Sequence, residues 1–201
     1  SPTRTWIGRS AAAWLCLYAS ASFYIKHLAT QHFEQKLTEN GITPSRMMTA
    51  PTLSNIFLWR MLAESDGQYY ITYWSVFDAN NRNSPIDQTP TGHQHLGEFS
   101  ESAEVKKLIW FSQGWHQVIR SKDGPDTLLI VDMRFGEMHT PESKSPAFAW
   151  HVTRDEQGYS FKNGSFRKEM NVGETLSFLW ERICGRAPEW MQGQWPWEVD
   201  E

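Results

Sequence analysis

Asp66-Gly67 joins two runs that read as β-strands, Asn55 to Ser65 and Gln68 to Asp78. A two-residue connection of this composition is a strong hairpin signal, because the tight turn needs positive φ. In the second run Tyr69, Ile71, Tyr73 and Phe77 fall on one face, and Tyr70, Thr72, Trp74 and Val76 on the other. Both faces are apolar. The strand is therefore predicted to be central and covered on both sides.

The rest of the chain supplies covers for it. Trp14, Leu17, Tyr18, Ala21, Ile25 and Leu28, then Phe33 and Leu37, recur at helical spacing and predict one long helix from Ser10 to Asn40, stopped by Gly41. Ser45 to Ala50 is a short strand candidate ending at Pro51. Residues Ala79 to Phe99 read as a long loop, and a helix should begin near Ser100 with Val105, Leu108, Ile109 and Ser112 inward, ending at Gly114. Trp115 to Ser121 and Thr127 to Phe135 form a second hairpin around Asp123-Gly124-Pro125. After a polar loop, Phe148 to Arg154 and Tyr159 to Phe161 are strands, and Glu174 to Cys184 is a last helix stopping at Gly185. The tail from Pro188 to Glu201 carries Trp190, Trp195 and Trp197 and is expected to wrap the body. The predicted class is α+β: a long N-terminal helix packed on a curved antiparallel sheet with two shorter helices, a cystatin-like or NTF2-like shape by analogy. Fold alone licenses no function.

Composition narrows the context. At 201 residues the chain can bury one substantial core. Its net charge of −4 leaves no basic stripe for nucleic acid. Eleven tryptophans suit thick cores and half-wet grooves alike. Cys16 and Cys184 lie in different helical patterns with no CxxC, so neither a zinc ribbon nor a thioredoxin-type site is indicated, and two buried thiols are expected in preference to a disulfide between them. Ser10 to Ile25 holds no charge across sixteen residues, fewer than the roughly 20 needed to span a bilayer. Two readings stay open for it: a buried helix of a soluble domain, or the end of a membrane helix. If it crosses, Arg4 and Arg9 mark the cytoplasmic side and the domain is periplasmic.

Chemistry is sparse. Alternation along Thr127 to Phe135 puts Leu128, Ile130, Asp132 and Arg134 on one face, and Arg60 shares its face with Ile56, Leu58 and Leu62. If these strands are neighbours, Arg60, Asp132 and Arg134 form a cluster beside an aromatic groove that includes Trp59. Guanidinium forks there could bind a carboxylate or phosphate, or Asp132 could simply neutralise an arginine. Asn55 opens a strand after a Pro-Thr-Leu-Ser turn, where bonding to the loop backbone competes with ligand contact. His93 and His95 are the one close histidine pair and the weak metal candidates, for a self-contained metal-dependent hydrolase. No HExxH, GxSxG, P-loop or GxGxxG is present, so no catalytic residue is assigned.

Three blocks in order, Ala50-Pro51-Thr52-Leu53-Ser54-Asn55-Ile56-Phe57-Leu58-Trp59-Arg60, then Asp66-Gly67-Gln68-Tyr69-Tyr70, then Asp132-Met133-Arg134-Phe135-Gly136, carry a resemblance. Over residues 10 to 155 the chain resembles the C-terminal part of a bacterial inner-membrane family of metal-dependent hydrolases, the YbcI/YdjM-like type (DUF457). Met133 stands where the family usually has Leu. The resemblance implies an extramembrane binding or regulatory domain, with residues 1–40 as a membrane-proximal helix and 41–201 as an α+β unit folded with it. Its partner would be the membrane-embedded half of the same protein, which carries the family's histidine motifs and any divalent metal. A lipid-linked or peptide ligand would be the domain's own. A third reading is a purely structural or dimerising domain.

Overall fold

A computed structural model describes residues 2–52, 55–78, 84–121, 124, 126–139, 144–155, 158–163 and 172–186. Helix α1 runs Pro2–Glu39, strands β1, β2 and β3 span Arg46–Pro51, Leu58–Ser65 and Gln68–Ser75, and β4 spans Asp87–Pro90. Helix α2 (Ala103–Phe111) precedes β5 (His116–Arg120) and β6 (Thr127–Asp132). A small hairpin, β7 (Glu137–His139) and β8 (Lys144–Pro146), leads to β9 (Ala149–Asp155), β10 (Gly158–Asn163) and α3 (Val172–Ile183). The α+β class and the long helix on an antiparallel sheet hold. The strands divide, however, between two four-stranded sheets, ordered β1-β2-β3-β4 and β10-β9-β6-β5.

Alternation explains the layering. Leu58 and Leu62 of β2 and Tyr69, Ile71 and Tyr73 of β3 meet Leu129 and Val131 of β6 between the sheets, with Ile183 of α3 in the same cluster. The opposite face of the first sheet, with Trp59, Met61 and Ala63, packs under Ala29, Phe33 and Leu37 of α1. The outer face of the second sheet, with Val118, Leu128, Ile130 and Val152, packs under Phe99 and Val105. Four layers result: α1, first sheet, second sheet, α2. As the sequence demands, β3 is covered on both faces.

The hairpin turn forms at Asp66 and Gly67 with φ of 50° and 73°, and its register pairs Ser65 with Gln68. Strand β5 runs across the first sheet. The Arg46 guanidinium at the β1 edge donates to the Gly114 carbonyl at 2.9 Å, the Tyr69 hydroxyl donates to the His116 carbonyl at 3.0 Å, and the Gln117 amide reaches Thr89 and Pro90 at the β4 edge.

Several expectations are corrected. Of the loop expected from 79 to 99, residues 79–83 lie outside the described residues, and the rest holds β4, a 3-10 turn His93–His95 and the start of a second, Gly97–Glu101. Helix α2 starts after Ser102, whose hydroxyl accepts from the Val105 amide, rather than near Ser100. Strand β6 stops at Asp132, so Arg134 is not a strand residue. Cys16 and Cys184 are both free and exposed, not buried. The helix end at Gly185 is as expected, with φ of 76°. Pro188 to Glu201 lies outside the described residues.

The segment Ser10 to Ile25 is not a buried helix. Residues 5–20 of α1 are exposed all round the helix, with Trp14 at 71% and Leu15 at 69%. Side chains from Ile25 onward pack on the first sheet. No helix among the described residues is long and apolar enough to cross a membrane.

Candidate functional site

Asp132 ends β6, and its carboxylate turns back over the next residues. It accepts from the Arg134 backbone amide at 3.0 Å and from the Arg134 guanidinium at two points, 3.0 and 2.7 Å. Asp132 is fully buried, and this bonding raises the Arg134 pKa. The strand cannot continue because Asp132 has become the cap of a 3-10 turn, Met133–Phe135. Strands β2 and β6 are in facing sheets, not adjacent in one. Arg60 crosses that gap and donates to the Met133 carbonyl at 2.9 Å. Gly136, with φ of 72°, lets the turn lie on the Arg60 side chain, which a Cβ would meet at 3.3 Å. Arg60, Asp132 and Arg134 are thus brought together, with Asp132 committed to Arg134 and Arg60 bonded to the backbone between them.

Aromatic rings surround this turn. The Arg134 guanidinium lies 5.1 Å from the Phe111 ring centre and 5.2 Å from that of Phe135. Phe135 and Phe148 meet edge-on at 4.8 Å, and Phe111 meets Trp150 at 6.2 Å. Phe111, Phe135 and Phe148 are exposed. The surface is aromatic, and the Arg134 guanidinium in it is already neutralised by Asp132.

Trp59 and Asn55 lie elsewhere. Trp59 is buried under α1 and its indole donates to the Ile56 carbonyl at 2.9 Å. The Asn55 side-chain Oδ1 accepts from the Phe57 and Leu58 amides at 3.0 and 2.8 Å, and its Nδ2 donates to the Thr52 carbonyl and hydroxyl. This geometry is that of a turn brace.

His93 and His95 sit on one 3-10 turn but face different partners. The His93 ring stacks on His116 at 4.4 Å, and its Nε2 bonds the His116 carbonyl at 2.8 Å. His95 lies near Arg120, and its pKa is lowered by burial and then by that charge. Among the described residues, no group of three His, Cys, Asp or Glu side chains is placed to hold a metal ion.

His116 itself was silent in the sequence. Its Nδ1 bonds the Gly114 carbonyl at 3.1 Å, while its buried Nε2 meets no hydrogen-bond partner among the described residues. Burial, then the His93 ring beside it, pulls its pKa down to about 4. The unfolded chain takes up that proton near pH 6.5, before the folded one does. Above pH 6.5 proton uptake adds no cost; between pH 6.5 and 4 stability should fall, in all by about 3 kcal/mol. Urea unfolding over pH 7.5–4 should show a shallower slope for His116→Gln; equal slopes would reject this assignment.

A third cluster also had no motif. Asp78, just after β3, pairs with Arg182 of α3 at 2.6 and 3.0 Å and accepts from the Ser75 amide at 2.8 Å. Arg182 continues to the Ser84 hydroxyl at 2.8 Å and the Tyr73 carbonyl at 3.2 Å. Lys36 of α1 donates to the Ser84 carbonyl and lies 3.5 Å from the Thr72 hydroxyl. Lys36 and Arg182 are both buried. Burial and then Arg182 lower the Lys36 pKa. The one available signal was helical spacing: Lys36 sits beside the inward row Ala29, Phe33 and Leu37, and Arg182 beside Leu179 and Ile183.

Comparison with protein-family models, with characterised proteins and with solved structures found no match for this chain.

Proposed function

We propose that this chain is the extramembrane binding or regulatory domain of a bacterial inner-membrane hydrolase of the metal-dependent type it resembles, with the catalytic histidines and metal in the membrane half. The observation that carries this reading is α1. Its first half stands clear of the domain, and its large apolar side chains are bare: Trp6, Ile7, Trp14, Leu15, Leu17, Tyr18, Phe23 and Tyr24 are all exposed. Sixteen uncharged residues, rich in exposed aromatic and leucine side chains, want an apolar surrounding, either lipid or a bundle of membrane helices. A soluble partner docking on one face would leave the other faces in water.

The aromatic surface around Arg134 is the proposed ligand face. Because Asp132 already holds the guanidinium, the surface would recognise the apolar part of a peptide or lipid-linked ligand rather than its charge.

Vesicle flotation tests the membrane arm. The full chain should float with vesicles of phosphatidylethanolamine and phosphatidylglycerol, and Leu15→Glu with Leu17→Glu should abolish flotation without changing the unfolding midpoint. A chain that stays at the bottom of the gradient, or a double variant that still floats, removes the support.

A further inference from the structure

The register of α1 on the first sheet fixes which end of the domain faces whatever α1 enters. Lys36 lies at Thr72, and the His32 ring is 5.8 Å from that of Trp74. Four helical residues advance about 6 Å, much as two strand residues do. The helix therefore runs antiparallel to β3, and its free half projects past the end of β3 at Ser75. At that level stand Phe57, Val76 and Phe77, all exposed, with the two phenyl rings 5.4 Å apart. β3 ends at Ser75 and the chain turns there, so the register fixes the direction of α1 and the end of the sheet at which it leaves.

Two boundaries lie at this end of the domain. Along α1, the uncharged stretch from Ser10 to Ile25 ends at exposed Lys26. On the sheet, the covered core ends at exposed aromatic rings. The rings are also held on a fixed frame. Asn55 grips the Phe57 amide, the Phe57 carbonyl accepts from the Val76 amide at 2.9 Å, and the Ser75 hydroxyl accepts from the Phe77 amide at 3.2 Å. That hydroxyl in turn donates to the Ile183 carbonyl at 2.5 Å. Gly185, where an added Cβ would collide with the Phe77 carbonyl, closes the turn from behind. Asp78, the carboxylate of this turn, faces inward to Arg182 and offers lipid phosphates no repulsion.

We propose that the Phe57–Val76–Phe77 tip rests on the phospholipid bilayer, its rings at headgroup depth and Lys26 on the phosphates, with α1 entering the membrane beside it. This rests on the membrane reading of α1 and adds a second, rigid point of contact that fixes how the domain stands on the surface. Aromatic rings and lysine stems are the side chains suited to that depth. Lipid is favoured over a second copy of the chain because α1 leaves at the same end of the domain, with sixteen uncharged residues and exposed Trp14, Leu15, Leu17, Phe23 and Tyr24 that an apolar medium would cover.

Environment-sensitive labels on single cysteines of the full chain test it, with vesicles of phosphatidylethanolamine and phosphatidylglycerol. With Cys184→Ser, native Cys16 reports α1. With both native cysteines replaced by Ser, Phe77→Cys reports the tip and Gln35→Cys the far end of the helix. The expected result is a blue shift and quenching by nitroxide lipids at Cys16 and Phe77→Cys, with no change at Gln35→Cys. Phe57→Glu with Phe77→Glu should weaken vesicle partitioning about tenfold. A response at Cys16 alone overturns the tip while leaving the α1 reading intact. No response at either overturns both. A shift at Phe77→Cys that needs no vesicles and grows with protein concentration assigns the tip to a second copy and overturns the proposal.

Discussion

Asp78→Ala is expected to cost about 3–5 kcal/mol of folding stability, the scale for removing one partner of a buried ion pair. The reason is arithmetic of charge. Asp78 is the carboxylate paired with Arg182, and Lys36 is buried close by and feels both charges. Truncation leaves two cations inside, and frees the Ser75 amide that the carboxylate also holds. Three elements come apart together, because α1, the end of β3 and α3 meet there. Lys36→Met should do the reverse. Burial and Arg182 already disfavour the ammonium, so removing it should be neutral or stabilising near pH 7. Any gain should fade as pH rises toward the lysine's ordinary 10.4, where the unfolded chain also loses its proton. In the Asp78→Ala background the same change should recover part of the loss. Urea unfolding of the two single variants and the double one measures all three numbers. A loss below about 1 kcal/mol for Asp78→Ala, the range of exposed pairs, would show that the cluster is wet and its charges independent. So would a double variant worse than the sum of the singles.

That cluster also shows where sequence reading stops. The hairpin at Asp66-Gly67 was legible because one turn type demands those residues, and β3 was legible as central because Tyr69 to Trp74 alternate without a polar face. Helix α1 and the stop at Gly185 were legible for the same local reasons. Periodicity tells which face a residue occupies but not what lies opposite. Lys36, Asp78 and Arg182 are brought together by tertiary packing, and nothing near any one of them announces the other two. The same holds for His116, stacked on His93 by the crossing of β5 over the first sheet. Arg60 illustrates the half-way case. Its face was right, beside Leu58 and Leu62, yet it reaches across to the Met133 carbonyl in the turn after β6 rather than along its own sheet. Strand β4 was missed because Asp87–Pro90 is short, polar and pairs through its backbone with β3, which leaves no hydrophobic pattern to see.

The second large effect is expected at Asp132. Asp132→Ala removes a carboxylate that both pairs Arg134 and caps the turn after β6, so the loss should reach about 3 kcal/mol. It should stay at that lower end because the Arg134 side chain is 16% exposed and can swing its charge into water, an escape that Lys36 and Arg182 lack. Asp132→Asn should cost less, since its amide oxygen still accepts from the Arg134 amide. Arg134→Met strands a fully buried carboxylate and should cost as much as Asp132→Ala or more. Replacing the pair together, Asp132→Leu with Arg134→Met, should recover most of the loss, because two apolar side chains leave no charge behind. The cycle formed by the single and double variants gives the coupling energy directly. A coupling of about 2 kcal/mol or more fixes Arg134 as the internal partner of Asp132 and leaves the rings of Phe111, Phe135 and Phe148 as what a ligand would touch. A coupling below about 1 kcal/mol, the size of an exposed pair, would instead release the guanidinium to bind an anionic ligand, and the proposed ligand face would then be charged rather than apolar.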